Sequence, residues 1–214
     1  MKELNELFSK LIENYNKNSI KVNLNLYRAP IVIAGRHVHL AQNEVDILFG
    51  KGYKLNPIEG STSDSLYICK ECLTLAGPCG AIEKVMLVGP TRQATQVEIL
   101  RMDATKLGIK PMIRLSGNLD GTPGITLIGP QGTAILKQGV IVSKRTLNLN
   151  LEEAKERNLH AGDVVSIRVK GERAAILENV VVRIKEGICL NCQLDQEEVD
   201  ALGLSADDYV EIIR

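Results

Sequence analysis

The run Arg36-His37-Val38-His39-Leu40 follows the apolar stretch Ile31-Val32-Ile33. In a β-strand, residues i and i+2 point to the same face. His37 and His39 then stand as two imidazoles side by side, their Cα atoms about 6–7 Å apart. Two imidazoles so placed suit one metal, and zinc most often takes His nitrogens in such sites. The chain has three His residues in all, so the pairing of two carries weight. The other reading is a strand with two polar residues turned to solvent, and the spacing alone leaves both open.

The segment recurs in altered form. Ile31-Val32-Ile33-Ala34-Gly35-Arg36-His37-Val38-His39-Leu40 lies over Val140-Ile141-Val142-Ser143-Lys144-Arg145-Thr146-Leu147-Asn148-Leu149, with the apolar positions, the Arg and the final Leu in step. Each copy runs into an acidic, helix-like stretch, Asn43-Glu44-Val45-Asp46 or Leu151-Glu152-Glu153-Ala154. Such self-similarity points to a duplicated architecture. Thr146 and Asn148 take the two His places in the second copy. A hydroxyl or an amide is a poor zinc ligand, so the second copy is expected to hold no metal.

Three further groups of residues bear on chemistry. In Thr91-Arg92-Gln93-Ala94-Thr95-Gln96-Val97-Glu98-Ile99, the planar fork of Arg92 suits a phosphate or other oxyanion. Glu98 would complete a His-His-carboxylate zinc set. The spacing by itself favours the plainer reading, an exposed strand with a surface ion pair. The glycine-rich loop Ser116–Gly124 offers backbone amides to an anion, a common and weak signal. Two CxxC pairs, Cys69/Cys72 and Cys189/Cys192, invite the reading of a zinc held by four thiolates. Each falls in an expected strand, where residues three apart face opposite ways, so buried thiols acting as small apolar groups are the better reading. His160 reads as a turn residue at a helix end.

The elements that must position these residues are mostly short strands. Leu4, Leu7, Phe8, Leu11 and Ile12 give residues 2–16 a single apolar helical stripe, followed by the polar linker Asn16-Lys17-Asn18-Ser19. The stripe suits either a helix packed on the body or a peptide that docks on a partner. Lys21–Leu26 alternates as a half-buried strand should. Leu73–Gly80 and Ile125–Gly132 each read as a strand with a Gly-Pro-x-Gly turn, a hairpin signal. Further strands are expected at 164–170, 176–184, 188–194 and 209–213, and short helices at 41–49, 103–107, 150–158 and 196–202. Asn150 with Glu153 forms a candidate capping box. The pattern favours a mainly β chain of two small barrels capped by short helices.

Composition narrows the classes. Lys+Arg and Asp+Glu are both 26, giving no net charge, and aromatics are 3%, which speaks against nucleic acid. No apolar run reaches the 18 or more residues of a membrane helix, and no secretory h-region opens the chain. Five Cys make an odd number for a disulfide framework, and a reducing cytoplasm is the expected setting.

Taken together, Gly35–Leu40, Thr95-Gln96-Val97-Glu98, Ser116-Gly117 with Gly121–Ile125, and Gly139–Val142 resemble the PduL-type phosphate propanoyltransferases, the phosphotransacylases of bacterial microcompartments. The resemblance covers residues from about 20 to 202. It implies two β-barrel domains around two zinc ions and transfer of an acyl group between coenzyme A and phosphate. On this chain it implies that His37, His39 and Glu98 bind zinc, that Arg92 holds phosphate, and that the backbone of Ile33, Ala34 and Gly35 lies along coenzyme A. The second zinc site maps onto Thr146, Asn148 and Gln193, so all three of its His ligands are missing. Met86 and Glu59 also stand where basic residues commonly line the coenzyme pocket. The implied layout is residues 1–18 as helix and linker, a candidate encapsulation peptide for a microcompartment shell protein. Residues 19–40 plus 140–214 form one barrel, and 41–139 the other. The function expected is phosphate acyltransfer by a homo-oligomer with one zinc per chain. The alternative, from a different class, is a non-catalytic paralogue serving as an assembly or regulatory subunit.

Overall fold

The computed structural model describes residues 27–61 and 66–213. The helix expected over 2–16 and the strand over 21–26 lie outside the described residues. The chain is mainly β and divides into two sheets. Six strands close a barrel: β1 (Arg28–Ala34), β10 (Thr146–Leu149), β11 (Val164–Val169), β12 (Ala175–Ile184), β13 (Asn191–Asp195) and β14 (Tyr209–Ile213), in the order β1-β13-β10-β12-β11-β14. The other eight are β2 (His37–His39), β3 (Tyr67–Gly77), β4 (Gly80–Gly89), β5 (Gln96–Glu98), β6 (Met112–Arg114), β7 (Ile125–Ile128), β8 (Thr133–Leu136) and β9 (Val140–Ser143). They form one sheet in the order β6-β9-β5-β2-β4-β3-β7-β8, so this second unit takes the form of an eight-stranded sheet. Among the described residues four short helices cap the strands: α1 (Gln42–Phe49), α2 (Arg101–Leu107), α3 (Leu151–Glu156) and α4 (Gln196–Leu202).

The two copies of the repeated segment are the crossings between the sheets. Each is a strand, a two-residue break and a second strand. The first leaves the barrel at Gly35-Arg36 and enters the sheet; the second leaves the sheet at Lys144-Arg145 and enters the barrel. Sheet membership therefore changes before His37 and after Ser143. The physical reason is packing. Val38 is fully buried with Leu87 and Val97 in the sheet's core, and that burial holds the three-residue strand β2 between β4 and β5.

The duplication extends to the neighbours. β2 runs antiparallel to β5 and parallel to β4; β10 runs antiparallel to β13 and parallel to β12. The registers correspond residue by residue. His37 faces Glu98 and His39 faces Gln96, while Thr146 faces Gln193 and Asn148 faces Asn191. The Arg at each break performs the same task. Arg36 bonds both carboxylate oxygens of Asp103, at 2.6 and 2.7 Å, and Arg145 bonds Glu198. Each acid is also the acceptor for the backbone N–H that opens its helix, at Leu100 and Asp195. A charged clamp thus ties each crossing to a helix N-terminus, where a carboxylate is favoured. Glu197, on α4 of the barrel unit, accepts from the N–H groups of Arg101 and Met102 at the start of α2 and so joins the two units. The Asn150/Glu153 capping box forms as expected.

Both expected Gly-Pro-x-Gly hairpins are present, and their glycines serve close packing. A Cβ at Gly77 would lie 2.2 Å from the carbonyl oxygen of Leu107, and one at Gly129 would lie 2.5 Å from that of Leu48. Only glycine lets these turns seat against the C-terminal ends of α2 and α1.

Candidate functional site

Strand alternation sends two rows of polar side chains toward one another. In the sheet, Val38, Leu87 and Val97 enter the core, so His37, His39, Gln96 and Glu98 occupy the opposite face. In the barrel, Leu147, Val182 and Cys192 fill the interior, so Thr146, Asn148, Arg183, Asn191 and Gln193 lie on the outer face. A cavity of about 420 Å³ opens between the rows. Val88 and Arg92 line it from the sheet side; Val32, Asn148, Asn191 and Gln193 line it from the barrel side.

Among the described residues, His37, His39 and Glu98 form the one group of three or more His, Cys, Asp or Glu whose ligand atoms lie within 4.8 Å of one another. Their geometry suits a cation. His37 Nδ1 lies 2.8 Å from the Gly35 carbonyl, and His39 Nδ1 lies 2.9 Å from the Val88 carbonyl. A carbonyl only accepts, so each Nδ1 carries the proton and each Nε2 presents a lone pair. The two Nε2 atoms face each other at 3.2 Å, and Glu98 Oε1 is 3.6 Å from that of His37. Two nitrogens bound to a tetrahedral zinc at about 2.0–2.1 Å stand about 3.3–3.4 Å apart. The Gln96 amide holds Glu98 Oε1 at 2.6 Å, and Glu98 Oε2 is buried without a partner. An orphaned carboxylate oxygen beside two converging lone pairs is costly unless a cation joins them. Burial, the neighbouring His37 and the charge of Arg92 push His39 down to about 3, so its imidazole is neutral as a metal ligand requires.

Arg92 is held beside this set. Its backbone N–H donates to Leu40 at the end of β2, and its guanidinium donates to the Ser116 hydroxyl at 3.1 Å. Gln96 donates to the same hydroxyl at 2.9 Å and accepts from the N–H of Gly117 at 2.7 Å. The Ser116–Gly124 loop therefore braces Arg92 and Gln96; the Gly117 amide is already engaged and does not form an open anion nest. Arg92 makes no ion pair with a described residue, which corrects the surface-ion-pair reading. Burial lowers its guanidinium from the usual value, Glu98 opposes that shift, and Arg183 adds to it. Arginine nonetheless stays charged.

The second row does not fit a metal. The Asn148 amide donates to Thr146 Oγ1 at 3.2 Å and to Asn191 Oδ1 at 2.9 Å, and the Gln193 amide donates to the Ser143 hydroxyl at 3.1 Å. These groups are neutral and satisfy one another. By register, Thr146, Asn148 and Gln193 are the counterparts of His37, His39 and Glu98. The thiols supply no substitute. Cys192 is in the barrel core and Cys69 in the sheet core, while Cys72, Cys79 and Cys189 are exposed. Within each CxxC pair one thiol is buried and the other exposed, so the expectation of burial holds for one member only.

Sequence reasoning reached His37, His39, Glu98 and Arg92, and the structure brings all four together. It passed over Ser116 as a hydroxyl that orients Arg92, and it did not single out Arg183. The motif Val180-Val181-Val182-Arg183 reads as an ordinary strand; only its pairing with Asn148 places that Arg on the face of the barrel that bears the polar row. Ile33 and Ala34 pair with Leu194 and Asp195 of β13, and the Gly35 carbonyl accepts from His37.

A family model described as phosphate propanoyltransferase matches residues 30–205. A phosphate propanoyltransferase of Thermotoga maritima is 40% identical over 193 residues, covering 88% of this chain and 92% of that protein. One of Listeria monocytogenes is 35% identical over 210 residues, covering 98% of this chain and 97% of that protein. One of Rhodopseudomonas palustris is 37% identical over 188 residues, covering 88% and 83%. With a match over nearly all the described residues and relatives aligned along most of their length, the chain belongs to the phosphate propanoyltransferase family and is a transferase.

Proposed function

We propose that the chain moves a short acyl group, propanoyl or similar, between coenzyme A and phosphate. The observation that supports this most is the convergence of His37, His39 and Glu98 beside the braced guanidinium of Arg92, at the edge of a cavity of about 420 Å³. A phosphate oxygen bonds the thioester carbonyl carbon as the C–S bond breaks, and the electron pair leaves with sulfur. The reverse step returns the acyl group to the thiol. Phosphate is a dianion and a weak nucleophile, so it must be neutralised and held against the carbonyl. Arg92 does so as a planar pair of donors, fixed by Ser116. His37, His39 and Glu98 would hold zinc, their orientation set by Gly35, Val88 and Gln96. When bound, such an ion supplies Lewis-acid stabilisation of a carbonyl oxygen or a leaving thiolate. The backbone of Ile33, Ala34 and Gly35 would run along coenzyme A. In its support, Ile33 and Ala34 pair with β13 on one edge, while β14 pairs only as far as Pro30. Residues 2–16 would dock on a microcompartment shell protein, the enzyme working in the cytoplasm as a homo-oligomer.

The test is formation of acyl phosphate from acetyl-, propanoyl- and butanoyl-coenzyme A by purified protein. Activity is expected with at least one of these, lost on His37→Ala together with the zinc. Arg92→Lys is expected to raise the KM for phosphate about tenfold or more while leaving that for the thioester within about twofold, since lysine offers a point charge in place of a fork. No acyl phosphate from any of the three would refute the reading.

A further inference from the structure

The metal set has two unlike sides. On the non-core face of the sheet, Glu98 and Gln96 of β5 pair with His37 and His39. On the other side, β4 pairs Met86 with His37, and Val88, one residue past the Val38–Leu87 pair, stands beside His39. The Val88 carbonyl accepts the His39 Nδ1–H at 2.9 Å. Val88 pairs in turn with Ile68 of β3, and paired residues share a face. The row Gln96, His39, Val88, Ile68 therefore changes from polar to apolar at the imidazole. The barrel supplies a facing wall. Val32 pairs with Gln193 and so turns toward the cleft, where Ile188 joins it. Val32, Ile68, Val88 and Ile188 all line the cavity of about 420 Å³, and so does Leu66. Val32 is 44% exposed and Leu66 40%. Apolar side chains held in water inside a concave site suit an apolar group of a ligand. Ser61 also lines the cavity, but its hydroxyl is engaged with the backbone: it donates to the Ile58 carbonyl at 2.6 Å and accepts from the Ile68 N–H at 3.2 Å.

Three groups must leave the reacting carbonyl in three directions. In the acyltransfer reading, phosphate lies at Arg92 and Ser116, past the Leu40 end of β2. The coenzyme arm leaves over Gly35, at the opposite end of the same strand. The side that remains is the apolar one, across β4 and β3. We infer that the acyl chain lies over Val88 and Ile68, against Val32 and Ile188, and that this wall selects linear acyl groups longer than propanoyl. The inference rests on the acyltransfer reading for the position of the thioester. Adjacent strands lie about 4.8 Å apart, so Ile68 stands roughly 9–10 Å from His39 along the row. A propanoyl group ends over Val88, whereas chains of about four to six carbons reach Ile68 and bury more apolar surface.

The experiment measures, by titration calorimetry, binding of the unreactive S-propyl, S-butyl and S-hexyl thioethers of coenzyme A to the full-length protein, its zinc content fixed, as wild type and Ile68→Ser. Affinity of the wild type should rise about fourfold per added methylene, the gain from burying each one. Ile68→Ser should cut the preference for hexyl over propyl about fivefold or more, because the far half of the wall becomes polar. Initial rates with propanoyl-, butanoyl- and hexanoyl-coenzyme A should give kcat/KM in the same rising order. A merely structural Ile68 would lower the melting temperature and move all three dissociation constants by one factor. Should Ile68→Ser not fold, Ile68→Thr carries the comparison. Dissociation constants within about twofold across the three thioethers would overturn the proposal, as less than one methylene's worth of burial. A preference unchanged in the folded variant would overturn it too, and would give the wall to the coenzyme arm. If the wild type makes no acyl phosphate from any thioester, the acyltransfer reading fails, while the thioether series still decides whether the wall holds an alkyl chain.

Discussion

At the scale of single residues, direction matters as much as identity. The five thiols illustrate it. Cys69 and Cys192 enter the two cores, where burial raises them to about 11 and about 12, from an ordinary 9.0. Cys72, Cys79 and Cys189 face outward. Iodoacetamide at pH 8 should therefore label three thiols in the native protein and five after unfolding, read by intact mass. The sign of the pH effect follows. Thiols whose folded values are raised stabilise the fold fully below pH 9 and lose that contribution as pH rises toward 11–12. Melting temperatures recorded from pH 8 to 11 should fall, and Cys192→Val should lessen the fall. Native labelling of all five would place a core thiol in solvent. Arg92 and His39 make the same point: both residue types were legible as ligands, but only the fold shows that Arg92 turns inward, without an ion-pair partner among the described residues, beside a neutral imidazole.

At the scale of elements, the repeated strand pair sets one half, whose residues fit a metal, against another whose residues do not. β2/β5 and β10/β13 are equivalent in register, so the backbone offers the same three positions twice. Ligand chemistry alone separates them. Wild type should retain about one zinc per chain after dialysis. Grafting the first set onto the second, as Thr146→His with Asn148→His and Gln193→Glu, should raise that to about two, measured by elemental analysis. A graft that stays at one equivalent would mean that the neighbours, Ser143 or Asn191, prevent the imidazoles from converging. The near-match of Ile31–Leu40 to Val140–Leu149 announced this equivalence. It did not announce that each copy spans two sheets, because a strand's hydrogen-bond partners are non-local and leave no mark in its own residues.

At the scale of the molecule, the site exists because two units face each other. The cavity takes walls from both, and Glu197 at α2 together with the clamps Arg36–Asp103 and Arg145–Glu198 sets how the crossings leave each sheet. The polar linker Asn16-Lys17-Asn18-Ser19 sets residues 1–18 apart from the rest in the sequence. Deleting those residues should leave the melting temperature and zinc content unchanged and remove co-localisation with a microcompartment shell. A clear drop in melting temperature or a changed oligomer would instead assign the apolar stripe of Leu4, Leu7, Phe8, Leu11 and Ile12 to the protein's own body.

What the sequence determined by itself is local. Alternation placed β11, β12 and β14 within a residue of their observed ends, the Asn150/Glu153 pair marked α3, and the Gly-Pro-x-Gly turns marked both hairpins. The i, i+2 spacing of His37 and His39 was enough to put two imidazoles on one face. Tertiary structure decided the rest: the closing of one sheet into a barrel, the points of crossing, the meeting of Glu98 and Arg92 with the His pair, and the place of Arg183 opposite Asn148. Each of these depends on pairings between segments tens of residues apart. Such pairings are fixed by which apolar faces bury one another, a property of the folded whole that no short stretch of residues carries.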